Sequence, residues 1–216
     1  PGIQYNDTIN DWHTNPETGP ITASNPCSEY MSLDNSSCNL ASLNLLKFLG
    51  DDGEFDANLF VKAVELIITA MDISICFADF PTEAIGETTR QYRQLGIGYA
   101  NLGALLMAMG KGYDSAGGRS TAAMITSIMT ATSYRRSAEL AGIVGAYSGY
   151  AKNADAHKRV MRKHQAANDT ERVMADDKKL HDVASKEWAR VIRIGNKNGY
   201  RNAQASVIAP TGTIGL

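Results

Sequence analysis

The sequence predicts an α/β chain that is rich in helix, with a few short strands and an unusual loop near each end. Three observations point there. Apolar residues recur at spacings of three and four through the middle of the chain, the first 39 residues are crowded with Asn, Asp, Pro, Gly, Ser and Thr, and residues 203–209 read as a buried strand running into Pro210-Thr211-Gly212-Thr213.

Bulk properties narrow the class. The chain has 216 residues, 44% hydrophobic and 20% charged, with a net charge of -2. That is ordinary globular composition for one domain or two, and it gives no general attraction to nucleic acid or to an anionic membrane. The three cysteines, Cys27, Cys38 and Cys76, are too few and of the wrong parity for a secreted disulfide framework, so reduced thiols in the cytoplasm are expected. The most apolar stretch, Val64 to Phe80, is interrupted by Glu65, Asp72 and Asp79, whereas a membrane span needs about 20 mostly apolar residues. No signal peptide is visible, and the chain opens at Pro1 without Met and stops in a glycine-rich run, so an internal piece of a longer protein is expected.

Residues 1–39 are expected to be loop and short strand. Leu40, Leu43, Leu45 and Leu46 then suggest helix up to the break at Gly50-Asp51-Asp52-Gly53. Phe60, Ala63, Val64, Ile67 and Met71 mark one face of the next helix, in which Cys76 is read as a core residue. A helix of small residues is expected from Gly98 to Met109, another from Ser120 to Leu140, and a charged one from Ala151 to His164, where Lys158, Arg159, Arg162 and Lys163 form a solvated face. Val183, Trp188, Val191 and Ile192 stripe the last helix, and Asn198-Gly199 signals a turn. The run Gly96 to Gly103 has the look of a dinucleotide fingerprint, but its third glycine is late and no strand is evident before it, so close packing of small helical residues is the reading. His13, His157, His164 and His181 share no ligand spacing, and none is assigned to a metal.

The segment Ser24-Asn25-Pro26-Cys27-Ser28-Glu29 carries potential chemistry. Pro26 fixes its own φ and pushes Asn25 out of the helical region, so the segment is extended or tightly turned. If it is extended, Asn25, Cys27 and Glu29 share one side. A thiol can serve as nucleophile or hydrogen-atom carrier, a carboxylate as general base, and an amide can orient a hydroxyl. On spacing alone, a buried cysteine in a proline turn, with Asn and Glu satisfying nearby amides, is the commoner outcome. Cys38, ten residues beyond Cys27, forms no CxxC pair and reads as a small core residue at the start of a helix. At the far end, Gly212 lets backbone approach a ligand, and the hydroxyls of Thr211 and Thr213 could hold a phosphate, although an ordinary strand-to-turn connection explains the same residues. The Gly-Lys-Ser/Thr ending of a Walker loop is absent.

Three strings occur in order: Asn25-Pro26-Cys27-Ser28-Glu29, then Cys38-Asn39-Leu40-Ala41-Ser42-Leu43-Asn44-Leu45, then Ala209-Pro210-Thr211-Gly212-Thr213-Ile214-Gly215. Together they resemble the large catalytic chain of ribonucleotide reductases, most closely the class II, adenosylcobalamin-dependent form. Pro1 to Trp12 and Leu95 to Met109 are similar to that family too, so the resemblance spans essentially the whole chain. It implies part of a ten-stranded α/β barrel with a central finger loop. Residues 1–39 would supply the strand and finger-loop region, 40–197 the helical region, and 202–216 a strand and phosphate-binding loop of one catalytic domain. By the resemblance, Cys27 is the thiyl-radical cysteine, Glu29 the base for the 3′-hydroxyl, and Asn25 a hydrogen-bonding partner of the ribose hydroxyls. Cys38 is one of two redox-active cysteines, its partner lying outside the chain. Ser24 joins these residues in the substrate pocket, and Pro210, Thr211, Gly212, Thr213 and Ile214 bind the substrate's phosphates.

The implied ligands are a ribonucleoside di- or triphosphate, nucleotide effectors, adenosylcobalamin, and a thioredoxin- or glutaredoxin-type reductant. Neither nucleic acid nor membrane is an expected partner, and homodimerisation is left open. The isolated segment is expected to be inactive. The nearest rival is a class I large chain, which takes its radical from a separate metal-containing subunit and shares Asn25, Cys27, Glu29 and Cys38. Further off are a Cys/His hydrolase built on Cys27, and a helical scaffold in which Cys27 merely packs.

Overall fold

The structure is a computed structural model and describes residues 3–212. Its helices are α1 (Asn6–Asp11), α2 (Ala57–Ser74), α3 (Glu83–Tyr92), α4 (Leu102–Ala108), α5 (Ala116–Val144), α6 (Tyr150–Thr170) and α7 (Lys178–Asn198). Strands β1 (Asn39–Asn44) and β2 (Leu95–Ala100) pair in parallel, from Asn39 opposite Leu95 to Asn44 opposite Ala100. The free edge of β2 takes up residues 203–207. The Leu95 amide donates to the Gln204 carbonyl (2.8 Å), the Ile97 amide to that of Ala205 (3.0 Å), and the Val207 amide returns a bond to Ile97 (3.0 Å). The Ile97–Ser206 pairing is a single parallel bridge, so β2 lies between β1 and a parallel third segment that pairs too briefly to be the regular strand expected over 203–209.

Each helix that covers this sheet has a local reason to start where it does. The Asp56 carboxylate accepts the Leu59 amide (2.9 Å) and caps α2, whose Phe60, Val64, Ile68 and Met71 are buried. Ser115 caps α5 by accepting the Gly118 amide (2.9 Å). α5 is buried along most of its length because α2 flanks it on one side and α6 and α7 on others. Gly199, at φ 73, ends α7 and turns the chain back toward the sheet. The main core joins Phe60, Val64 and Ile68 of α2 to Leu95 and Ile97 of β2 and to Met124, Ile125 and Ile128 of α5.

Two buried ionic nodes fasten these layers. Arg135, on α5 and 1% exposed, pairs with Glu65 of α2, Glu139 one turn on (2.7 Å), and Glu187 of α7. Asp72, at the end of α2, accepts Arg93 Nε (2.8 Å) and Asn202 Nδ2 (2.8 Å), joining α2 to the starts of both β2 and the 203–207 strand.

The structure departs from sequence expectation in several places. Residues 39–44 form a strand, not the start of a helix, because β2 offers them a continuous set of backbone partners. Alternate residues Ala41 and Leu43 pack on the core while Leu40 is half exposed. The small-residue segment from Gly98 is strand to Ala100, turns at Asn101 (φ 65), and only then becomes α4. Cys76 is exposed, since α2 stops at Ser74 and the following turn leads outward. On α6, Arg159 and Lys163 are not merely solvated; both bind Asp11 on α1. No helix among the described residues is long and apolar enough to cross a membrane.

Breaking a buried pair by removing one partner costs about 3–5 kcal/mol, because the other charge is left uncompensated. Arg135→Met, which keeps much of the side-chain volume, is therefore expected to lower the unfolding midpoint of the full-length protein sharply. Equal stability of variant and parent in a denaturant titration would refute that role.

Candidate functional site

The two faces of the sheet differ. Ala41, Leu43, Leu95, Ile97 and Tyr99 face the helices. The other face carries Leu40, Gly96 and Gly98, with Cys38 just before β1. A Cβ at Gly96 would fall 2.5 Å from Cys38 Sγ and 2.7 Å from Val207 Cγ2, and one at Gly98 would fall 2.5 Å from the Val207 carbonyl oxygen. Any side chain at Gly96 would thus push the thiol and the third strand off the sheet. Two glycines two residues apart in a strand let both approach.

The segment 24–31 is a tight hairpin, closed by an antiparallel bridge between Ser24 and Met31. The Ser28 amide donates to the Asn25 carbonyl (3.0 Å), which places Pro26 and Cys27 at the two central turn positions. Ser28 follows at φ 63. The Asn25 amide donates to the Tyr30 carbonyl (3.3 Å), and Asn25 Oδ1 accepts the Tyr30 amide (3.0 Å). The extended alternation that would align Asn25, Cys27 and Glu29 is therefore overturned: the turn bends the chain between them. Cys27 projects at the exposed tip, whereas Asn25 and Glu29 are half-buried on its flanks. Asn25 uses its side-chain oxygen to hold the turn, so its NH2 remains for a ligand. Ser24 Oγ donates to the Asn25 carbonyl (2.9 Å), and Gln4 Nε2 donates to Ser24 Oγ.

Behind the tip, two groups interact. Glu29 Oε2 is buried with no hydrogen-bond partner among the described residues. A buried acceptor left without a donor is costly unless a ligand supplies one. Cys38, half-buried and no core residue at a helix start, has its thiol pushed up to about 12, first by burial and then by the negative charge of Glu29. Cys38 is therefore a protonated thiol near neutral pH, suited to giving up hydrogen and poorly suited to nucleophilic attack.

The hairpin is moored to the sheet through Tyr30, whose hydroxyl donates to Gln94 Oε1 (2.9 Å), and through Ser32, which accepts from Gln94 Nε2. Tyr30, Ser32 and Gln94 are all buried. None of these three stood out in the sequence, and Gly96 and Gly98, read there as close-packed helical residues, are in a strand. The one available signal was the alternation of Gly96 and Gly98 about Ile97, which fits a strand crowded on one face better than it fits a helix.

The structure thus brings Cys38 and Val207 together at Gly96, with the Glu29 charge acting on the thiol. Pro210, Thr211 and Gly212 are exposed beyond the third strand, and no hydrogen bond joins them to the 24–29 turn among the described residues. Thr213 and Ile214 lie outside the described residues. No cluster of three or more metal-ligating side chains occurs among the described residues. A cavity of about 510 Å³ between the starts of α2 and α7, lined by Lys111 and Asp177, shares no residue with the turn or with Cys38.

The thiol environment makes a measurable statement. Alkylation needs the thiolate, and a free cysteine titrates near about 8.5. Cys38 is expected to label far more slowly with iodoacetamide than a free thiol at pH 8, its rate still climbing at pH 10. Glu29→Gln removes the negative charge that opposes ionisation, so the labelling profile moves to lower pH. Peptide-resolved mass spectrometry reads both; an ordinary profile that ignores the substitution would contradict the arrangement.

Comparison with known proteins shows the family. The family model for the ribonucleotide reductase barrel domain matches residues 1–216. The chain is 69% identical to a vitamin B12-dependent ribonucleotide reductase of Streptomyces clavuligerus, covering all of this chain and 23% of that protein. It is 47% identical to the vitamin B12-dependent ribonucleotide reductase of Agrobacterium fabrum, covering all of this chain and 18% of that protein. A vitamin B12-dependent ribonucleoside-diphosphate reductase of Mycobacterium tuberculosis is 31% identical, with all of this chain and 25% of that protein covered. The chain therefore spans a quarter or less of the length of these curated relatives. The match of that family model over residues 1–216, with relatives of 69% and 47% identity covering the whole chain, makes the chain a member of the ribonucleotide reductase barrel-domain family.

Proposed function

We propose that this chain is the radical-bearing part of an adenosylcobalamin-dependent ribonucleotide reductase, acting in the cytoplasm on a ribonucleoside di- or triphosphate. One observation carries the reading: a buried Glu29 oxygen without a hydrogen-bond partner among the described residues sits on the same turn as the exposed Cys27, and its charge acts on the protonated Cys38 thiol.

The residues fit the cofactor on the donor chemistry that they present. Cys27 offers an S–H bond at an exposed tip, open to a group approaching from outside the described residues. Adenosylcobalamin, when bound, supplies a carbon-centred radical. Cys27 gives up its S–H hydrogen and then takes the 3′ hydrogen of the ribose, so one S–H bond is remade as one C–H bond breaks. The lone Glu29 oxygen accepts the 3′-hydroxyl proton, which gives that atom the partner it lacks. Asn25 Nδ2 donates to a ribose hydroxyl and holds the ring in register. The 2′-hydroxyl takes a proton from a thiol of the reducing pair and leaves as water, and after reduction Cys27 returns its hydrogen to C3′. Cys38 and a partner thiol outside the described residues supply two electrons and two protons and become a disulfide, which a thioredoxin- or glutaredoxin-type protein reduces. Ser24 lines the pocket, and Pro210 to Ile214 hold the phosphates. Anchoring the phosphates far from C3′ lets remote binding energy position the reacting carbon.

The uncovered sheet face agrees with this assignment. Parallel sheets are normally covered on both faces, yet Leu40 is 50% exposed on the side opposite the helices. In a barrel that side is the interior, where a thiyl radical is shielded from water.

Full-length protein is expected to reduce ribonucleotides only with adenosylcobalamin, and with no second metal-containing subunit. Activity that instead requires such a subunit would favour the class I reading. Cys27→Ser should fall to background, and Glu29→Gln should lose about 10²–10⁴-fold in kcat, the range for a general base. Retained nucleotide reduction in Cys27→Ser would end the proposal. The 216-residue chain by itself should show no turnover, because the partner thiol of Cys38 is not in it. Assays with matched di- and triphosphates assign the substrate.

A further inference from the structure

Gln94 is only 1% exposed and belongs to none of the three recognised strings, yet both ends of its amide are engaged. Its oxygen accepts from Tyr30, and its nitrogen donates to Ser32. Tyr30 also closes the Cys27 turn, its backbone exchanging bonds with Asn25 through amide and carbonyl. Gln94 is thus one residue removed from the turn. In the other direction it directly precedes β2 and lies two residues before Gly96, against which Cys38 packs. Side chains in a strand alternate, so position 94 continues the row of 96 and 98. The two sulfur-bearing segments are therefore tied to one strand, one by backbone pairing and the other by the Gln94 amide.

We propose that Gln94 is a positioning residue that fixes the Cys27–Glu29 turn against the Cys38 strand. This deepens the reductase reading and rests on it for its catalytic consequence. The amide suits the task because it offers a donor and an acceptor in one plane without a charge beside Glu29. A carboxylate at this position would keep the bond from Tyr30, could not donate to Ser32, and would add a second negative charge. A leucine would fill the space and lose both bonds. The titratable groups facing Cys38 are Glu29 and Tyr30, and both belong to the hairpin that Gln94 moors.

The test uses full-length protein carrying Gln94→Leu, with Tyr30→Phe as the milder variant that deletes one hydroxyl and keeps the ring. A misplacement of about 1 Å at a reacting group can cost on the order of 10²-fold in rate, so kcat should fall by about that much in Gln94→Leu. It should fall less in Tyr30→Phe, with KM for the ribonucleotide within about twofold, since the phosphates are held elsewhere. Iodoacetamide labelling of Cys38 should shift to lower pH as Glu29 moves away, and Gln94→Leu should add no further shift in a Glu29→Gln background. That labelling needs no turnover, so it stands or falls separately from the reaction assigned above. The proposal is overturned if the Cys38 profile is unchanged. It is equally overturned if the double variant shifts further than Glu29→Gln alone, or if activity declines only in step with the thermal midpoint.

Discussion

β2 is hydrogen-bonded on both edges, to β1 on one side and to residues 203–207 on the other, and this double pairing sets the position of every group in the site. Neither neighbour is close to β2 in sequence, so loop closure opposes both pairings until the sheet forms. Gly96 and Gly98 let the third strand and the Cys38 thiol press onto one face, while Leu95 and Ile97 anchor the opposite face in the helical core. A methyl group on the crowded face would separate the groups that the chemistry needs together. The Cys38 sulfur, just before β1, is placed by the absence of a side chain at Gly96.

Charged groups hold the frame around that sheet. Asp72 ties the end of α2 to Arg93 and to Asn202, residues that immediately precede the two strands crossing the site. Arg135 draws three carboxylates from α2, α5 and α7 to one point. Such nodes contribute less net stability than apolar packing of the same volume, but they fix geometry, since each partner must be in place to offset the desolvation of the others. The proposed thiyl chemistry would gain from a rigid frame, because a thiyl radical that wanders finds other hydrogen donors.

The two cysteines of the site sit in opposed surroundings, and the contrast sorts their roles. Cys27 stands at an exposed turn tip where another group can reach its hydrogen. Cys38 is packed beside a glycine and a carboxylate that keep it protonated. A reductant that must deliver hydrogen at a chosen moment benefits from a thiol that resists ionisation. An oxidisable tip benefits from access. Glu29 adds its negative charge to the burial that keeps Cys38 neutral, and in the proposed reaction it is also the base.

By itself the sequence determined the helices α2, α5, α6 and α7, whose apolar stripes or small-residue faces repeat at helical spacing, and the turn at Gly199. The wording of its ordered motifs also placed the chain in its family, the source of the roles proposed for Asn25, Cys27, Glu29 and Cys38. It could not show that residues 39–44 and 95–100 are strands. Their Leu, Ala and Gly content is compatible with helix, and only partners more than fifty residues away decide the matter. Nor could it show that the Cys27 turn bends instead of extending, that Gln94 moors it, or that Cys76 is exposed. Periodicity reports what each segment must bury. Which segments face one another is decided by long-range pairing, and the Cys38 thiol meets Val207 only across the bare face of Gly96, once β2 has paired on both edges.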